Sequence, residues 1–463
     1  VVPPTGPDPL ERPTFAAVPR ILRQLCSARQ CAHITANLVP DLARLVRRMG
    51  HRGLRGRWVN RHGHVLPVAL SSNELAGILI AGDLDPILRA EFPAAVRAAA
   101  DGDTAALARL LARAAGGGGG GGEEPEEEGI DTPLYLATTC EELAFPWSRA
   151  ASPRERLAQA TAQIEALPAS SIAPFTAANV LDLSDLRSCA SWPFATPAPP
   201  VVPATMPDVP TLILSGADDL RTPTSGARAL AAEIPGSHLV VVPNTGHSVL
   251  GTEPTHCAHK ALLAMFAGHS IAPCPAGAPS PFLRPTPLPP ERLSDVRPAH
   301  GSHGRAGRTL TAVALTLADF SRQFLLQLIE TAGGASGGPA ISLSSLSSGG
   351  LRAGWAQLTR SGLRFHGYSY VPGVTLSGTV KAESIALRIG GRAAAHGTLR
   401  LGARKALVGT LGGQHVHILP SHTASGAIVG ADAQASPDLG LGGSRARAAV
   451  RKLAGALGRL PWL

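Results

Sequence analysis

Val209-Pro-Thr-Leu-Ile-Leu-Ser215 is a continuous apolar run that opens into Gly216-Ala-Asp-Asp-Leu-Arg-Thr-Pro223. A second apolar run, His238-Leu-Val-Val-Val-Pro243, opens into Asn244-Thr-Gly-His-Ser-Val249. Unbroken apolar strands of this kind fit a parallel sheet covered on both faces. Helical texture over 226–234 and 257–266 makes the order strand–helix–strand–helix, an α/β unit. In an open parallel sheet, reactive side chains sit on loops at the C-terminal ends of strands. Asp218 and Asp219 occupy the first such loop and His247 the second. One helix and one strand separate them, so neighbouring strands would bring acid and imidazole together. An acid behind a histidine orients the ring and stabilises its protonated form during acyl transfer. For one of the two aspartates the competing role is to cap the following helix.

Leu214-Ser-Gly-Ala-Asp-Asp-Leu-Arg-Thr-Pro223, followed by Gly246-His-Ser-Val249, is similar to the acid and histidine loops of α/β-hydrolases. Tyr135-Leu-Ala-Thr-Thr-Cys-Glu-Glu142, Phe145-Pro-Trp147 and Cys189-Ala-Ser-Trp-Pro193 narrow the likeness. Over residues 15–275 the chain resembles the tripeptidyl-aminopeptidase-like serine peptidases of actinobacterial type. The resemblance implies a partial α/β-hydrolase fold with a helical lid, and a Ser-Asp-His triad needing no cofactor and no metal. The family pattern Gly-x-x-Asp-x-x-Thr-Pro selects Asp219 over Asp218 as the acid, with His247 as the base. It also makes Glu141 and Glu142 candidates for a substrate's free amine, against the plainer role of a solvated acidic turn. Trp147 and Trp192 either line a pocket or pack structurally.

The departure from the family lies in the nucleophile. The elbow Gly-x-Ser-x-Gly precedes the acid and histidine in such enzymes, and no such motif stands upstream of Asp219. The literal match Gly334-Ala-Ser-Gly-Gly338 follows the histidine in a Gly/Ala/Ser-rich stretch with no apolar strand before it. Neither Ser336 nor Ser248 is therefore assigned the role. The expectation is a lid plus C-terminal half, inactive alone, with the nucleophile half missing and the true N-terminus upstream of Val1. The implied whole enzyme is a secreted exopeptidase acting on peptides. An ester hydrolase of the same fold is the near alternative. A non-catalytic pseudoenzyme or cell-wall binding module is the distant one.

Outward from this centre, residues 1–70 read as a remnant of the hydrolase core, with helices over 14–50 and a hairpin over 53–68. Residues 71–192 read as the lid. It is helical over 71–114 and 153–167, with a short buried strand at Leu134–Thr138 and a disordered Gly/Glu loop at 116–128. Residues 193–275 hold the acid and histidine loops, and 276–305 form a Pro-rich linker. In 306–463 a helix over Leu310–Ile329 leads into a small antiparallel β-rich module, read from short apolar–polar alternations punctuated by glycine.

Six cysteines fall into three local pairs, Cys26 with Cys31, Cys140 with Cys189, and Cys257 with Cys274. None has zinc-site spacing, so the pairs suggest disulfides and an extracellular, oxidising compartment. Six free buried thiols are the alternative. No stretch is apolar for long enough to span a membrane. The net charge of +9 comes from residues scattered along the chain, with no basic run interleaved with aromatics, so no nucleic-acid partner is expected. The spaced basic residues Arg445, Arg447, Arg451, Lys452 and Arg459 in an Ala/Leu-rich tail allow membrane-surface or cell-wall association.

Overall fold

A computed structural model describes residues 8–115, 131–194, 206, 208–253, 255–277, 283–333, 346–359, 362–381, 384–403 and 406–418. The Gly/Glu loop 116–128, Ser336, most of the Pro-rich stretch after residue 194 and the basic tail lie outside them. The chain divides into two units, one drawn from residues 1–54, 70–100 and 122–285, the other from 55–69, 101–121 and 286–463.

The first unit starts with helices α1 (Arg12–Leu25) and α2 (Leu38–Met49). The single helical region expected over 14–50 is thus two helices. Ala28 and Arg29 adopt positive φ between them, the Cys26–Cys31 disulfide pins the turn, and Asn37 caps α2 by accepting the Val39 N–H. The hairpin strands β1 (Leu54–Val59) and β2 (Val65–Leu70) follow, and residues 55–69 group with the second unit.

Then come α3 (Ser72–Ala81), α4 (Pro86–Asp101), α5 (Ala105–Ala114), which groups with the second unit, α6 (Thr132–Glu142), α7 (Pro153–Glu165), α8 (Ala169–Ile172), α9 (Ala177–Leu183) and α10 (Leu186–Ala190). Ser71 and Glu74 form a reciprocal capping box at α3, as Ser152 and Glu155 do at α7. The strand expected at Leu134–Thr138 is instead part of α6. Asp131 caps that helix through the Leu134 N–H and Pro133 sits in its first turn. Leu134 and Tyr135 are exposed, so the apolar run does not enter a sheet. The Cys140–Cys189 disulfide ties α6 to α10.

The strand–helix–strand–helix unit follows as β3 (Leu212–Gly216), α11 (Thr224–Glu233), β4 (His238–Val242), α12 (Val249–Thr252) and α13 (Cys257–Phe266). The strands pair in parallel, Leu212 opposite His238 and Gly216 opposite Val242. Helices cover both faces, as the apolar runs require. Ile213 packs with Ala227 and Ile234 on the α11 side, while Val240 and Val242 pack with Ala258 and Ala261 on the α13 side.

In the second unit, α14 (Gly304–Gly333) is longer than the sequence pattern indicated. The eight-stranded antiparallel meander comprises β5 (Ser347–Gly349), β6 (Ala353–Thr359), β7 (Gly362–Ser369), β8 (Thr375–Lys381), β9 (Ser384–Gly390), β10 (Gly397–Leu401), β11 (Leu407–Leu411) and β12 (Gln414–Ile418). Its strands lie in sequence order. Leu310, Val313, Leu317, Phe320 and Phe324 recur every three or four residues on α14 and fill one core with the inward side chains of the sheet. Strand β9 alternates strictly, with Ile385, Leu387 and Ile389 buried and Ser384, Ala386 and Arg388 exposed. Arg109 of α5 makes a bidentate pair with Asp319 at 3.0 and 2.8 Å, and the Tyr368 hydroxyl donates to the same carboxylate at 3.1 Å. Burial, with Asp319 beside it, pushes the Tyr368 hydroxyl well above the usual phenol range.

Candidate functional site

Two loops at the C-terminal ends of β3 and β4 meet because their backbones are zipped together. Ala217 N–H donates to Val242 O and Asp218 N–H to Thr245 O, both at 2.9 Å. Only glycine fits the crossing. A Cβ on Gly216 would stand 2.1 Å from the Gly246 carbonyl oxygen, and one on Gly246 would stand 2.4 Å from that of Asp83. Gly216 lets the acid loop touch the histidine loop, and Gly246 lets the histidine loop pack against Asp83.

On this scaffold Asp219 Oδ2 lies 3.2 Å from His247 Nδ1. The carboxylate is fixed from behind by Thr222, whose N–H donates to Oδ1 at 2.8 Å and whose hydroxyl donates to Oδ2 at 2.7 Å. Thr222 Oγ1 is also 3.2 Å from His247 Nδ1. Asp219 is nearly buried (4%), while the imidazole is 38% exposed. With Nδ1 on the carboxylate side, Nε2 is the nitrogen left to exchange a proton with another group. Asp218 turns elsewhere. It lies 3.7 Å from Arg89 Nη1, and its Oδ1 has no hydrogen-bond partner. Burial holds its carboxyl above the usual carboxylate range, against the pull of Arg89. Neither aspartate caps α11, which has Pro223 at its N-cap and no side-chain cap. Asp219 instead caps the turn at Thr222.

Sequence reading missed the residue that holds both loops, Asp83, which follows α3. Its Oδ2 accepts the backbone N–H groups of Leu220 at 2.7 Å and Arg221 at 3.0 Å, and its carbonyl oxygen accepts the His247 N–H at 3.0 Å. Its Oδ1 pairs with Arg89. Burial pushes its carboxyl up to about 6, against the lowering effects of Arg89 and the two N–H donors. Nothing in the local sequence signals this role, because every partner except Arg89 lies more than 130 residues away.

The other candidates lie in the same unit, Glu141 and Glu142 on α6 and Trp147 in the segment between α6 and α7. Glu141 is engaged: Arg149 donates to its Oε1 at 2.6 Å and Trp192 Nε1 to its Oε2 at 3.2 Å. Glu142 is exposed. Trp147 stacks flat on Phe145 at 4.5 Å and meets Phe194 edge-on, so its ring is part of an aromatic cluster. Arg149 and Arg156 both lie over the Phe194 ring, at 4.9 and 4.6 Å. All six cysteines are paired as the sequence suggested. Among the described residues, no group of His, Cys, Asp and Glu could hold a metal ion, and no helix is long and apolar enough to cross a membrane.

A family model of α/β-hydrolases, Abhydrolase_4, described as TAP-like protein, matches residues 173–270. That segment contains β3, β4, Asp219 and His247, so the match supports a TAP-like α/β-hydrolase domain here. No curated protein and no solved structure matches the chain.

Proposed function

We propose that the first unit is the acid–base part of a secreted serine hydrolase, in which Asp219 and His247 complete a Ser-Asp-His relay. The observation that carries this reading is the Asp219–His247 contact on adjacent strand-end loops, with the acid buried and the ring partly open. In the relay, His247 Nε2 takes the proton of a serine hydroxyl as it attacks the scissile carbonyl. Asp219 holds the Nδ1 tautomer and stabilises the imidazolium, and His247 then returns the proton to the leaving group. The serine is proposed to come from a strand–Gly-x-Ser-x-Gly–helix elbow, which has no counterpart upstream of Asp219 in this sequence. This chain by itself is then inactive.

The proposed reaction is exopeptidase cleavage, releasing short N-terminal peptides or single residues. Of the two lid acids, the exposed Glu142 is better placed than Glu141 to meet a substrate ammonium, because Glu141 already neutralises Arg149. Three disulfides favour an extracellular location. The test is hydrolysis of tripeptidyl anilides and of aryl esters by a polypeptide that carries this chain together with such an elbow. His247→Ala should lower turnover by roughly 10³-fold or more. Near-normal turnover would remove His247 from the mechanism, and a rate confined to esters would make the enzyme an esterase.

A further inference from the structure

Eight of the chain's nine net positive charges come from one stretch. Residues 346–418 contain seven Arg and two Lys against a single acid, Glu383. Apart from the adjacent Arg404 and Lys405, these cations are spread along the sequence. Strand register brings several of them together on the face of the meander turned away from α14. One cross-strand row reads Ser377, Arg388, Thr398, Thr410, His415 from β8 to β12. The adjacent row reads Arg364, Thr379, Ala386, Arg400, Val408, His417 from β7 to β12. Arg364, Arg388, Arg400, His415 and His417 are all exposed.

The β8–β12 part of this face forms an open trough of about 780 Å³, and no Asp or Glu lines it. At about 4.8 Å per inter-strand step, the trough runs roughly 19 Å across the strands. A cationic groove without acids concentrates field lines and attracts an extended anion. The small side chains of Ala386 and Val408 flank Arg400 in its row and leave room beside the guanidinium. The hydroxyls of Ser377, Thr398 and Thr410 lie in the same row as Arg388, ready to pair with polyol oxygens.

We propose that this face binds a linear anionic glycan, a polymer carrying carboxylate, sulfate or phosphate groups on a hydroxyl-rich backbone. Arg388 and Arg400 anchor the charges, and the Ser/Thr row meets the hydroxyls. Single-stranded nucleic acid fits less well, because such sites stack bases on large aromatic rings and no Phe, Tyr or Trp lines the trough. Trp355, on β6, already has one face covered by His366 at 4.3 Å. The inference concerns the second unit and stands apart from the hydrolase reading.

The test is equilibrium binding of the full chain to immobilised polygalacturonate, with heparin, neutral dextran and single-stranded DNA in parallel, at about 0.1 M salt. The wild type should bind polygalacturonate and heparin and ignore dextran. Arg388→Glu/Arg400→Glu should weaken that binding at least about tenfold, since each reversal replaces an attraction with a repulsion. Arg388→Gln/Arg400→Gln should fall between this variant and the wild type. Arg154→Glu/Arg228→Glu makes the same change in net charge at exposed positions of the first unit, and binding should stay within about twofold. No binding by the wild type would overturn the proposal. So would equal loss in the two charge-reversed pairs, which would mean bulk charge alone. Preference for DNA, lost with the same two arginines, would make the trough a nucleic-acid surface instead.

Discussion

The unit that holds Asp219 and His247 contains all three disulfides, and the unit built on the eight-stranded meander contains none. Around β3 and β4 the buried apolar residues form two small groups, one on each face of a two-stranded pair. In the second unit one contiguous core joins α14 to the sheet. The buried acids differ in the same way. Asp319 accepts three hydrogen bonds from Arg109 and Tyr368, whereas Asp218 keeps an oxygen without a partner and Asp83 is driven towards protonation by burial. The second unit surrounds its buried acid Asp319 with donors and packs one large apolar core. The first places two buried acids with raised carboxyls, Asp83 and Asp218, beside a strand-end site and carries all the covalent cross-links. Local compromise at functional sites, compensated elsewhere, is the usual pattern.

The largest effect expected from this contrast is on Asp319. Asp319→Ala leaves the largely buried Arg109 without this carboxylate and should destabilise the second unit by about 3–5 kcal/mol in urea unfolding. Asp218→Asn removes a buried charge whose Oδ1 is unbonded, and should cost under about 1 kcal/mol or stabilise. Equal losses would erase the distinction between the clusters.

The cross-links sharpen it next. The disulfides close spans of 49 residues (Cys140–Cys189) and 5 residues (Cys26–Cys31). Chain-entropy reasoning gives about 4 kcal/mol for the longer and about 2 kcal/mol for the shorter. Replacing each pair by serine and measuring the unfolding midpoint should reproduce that order; a reversed order would mean that native packing at α1 outweighs loop length.

The smallest effect is on pH dependence. The Asp83 carboxyl, raised from 3.8 to about 6, binds its proton more tightly in the folded chain than in the unfolded one. Its contribution is therefore fully stabilising below 3.8 and is lost as pH rises through about 6. Asp83→Asn should flatten this part of the stability profile, measured by thermal unfolding across that window. A profile identical to wild type would assign the pH dependence to other groups.

Much of the first unit was legible because its signals are local. The apolar runs 209–215 and 238–243, the loop Asp219-Leu-Arg-Thr-Pro223 and Gly246-His247 each sit within a few residues of what they determine. Helix α6 reads as a strand for the converse reason: Leu134-Tyr-Leu136 is apolar, yet Leu134 and Tyr135 are exposed, and the decisive signal is the cap–proline pair Asp131-Thr-Pro133. Asp83 could not be found, since its carboxylate meets backbone N–H groups brought near only by the completed fold. The basic face was hidden by spacing. Arg364, Arg388 and Arg400 look scattered until antiparallel register sets Arg364 and Arg400 in one row and Arg388 in the next.

The relay itself is tested most directly by swapping the two neighbouring aspartates in a polypeptide that carries this chain with a nucleophile elbow. With tripeptidyl anilide as substrate, Asp219→Asn should lower kcat by roughly 10³–10⁴-fold, by analogy with loss of the acid in other serine triads. Asp218→Asn should stay within about tenfold of wild type, because Asp218 faces Arg89 and not the imidazole. The opposite ranking, or equal and small losses in both, would contradict the assignment of Asp219 and His247 as the acid–base pair.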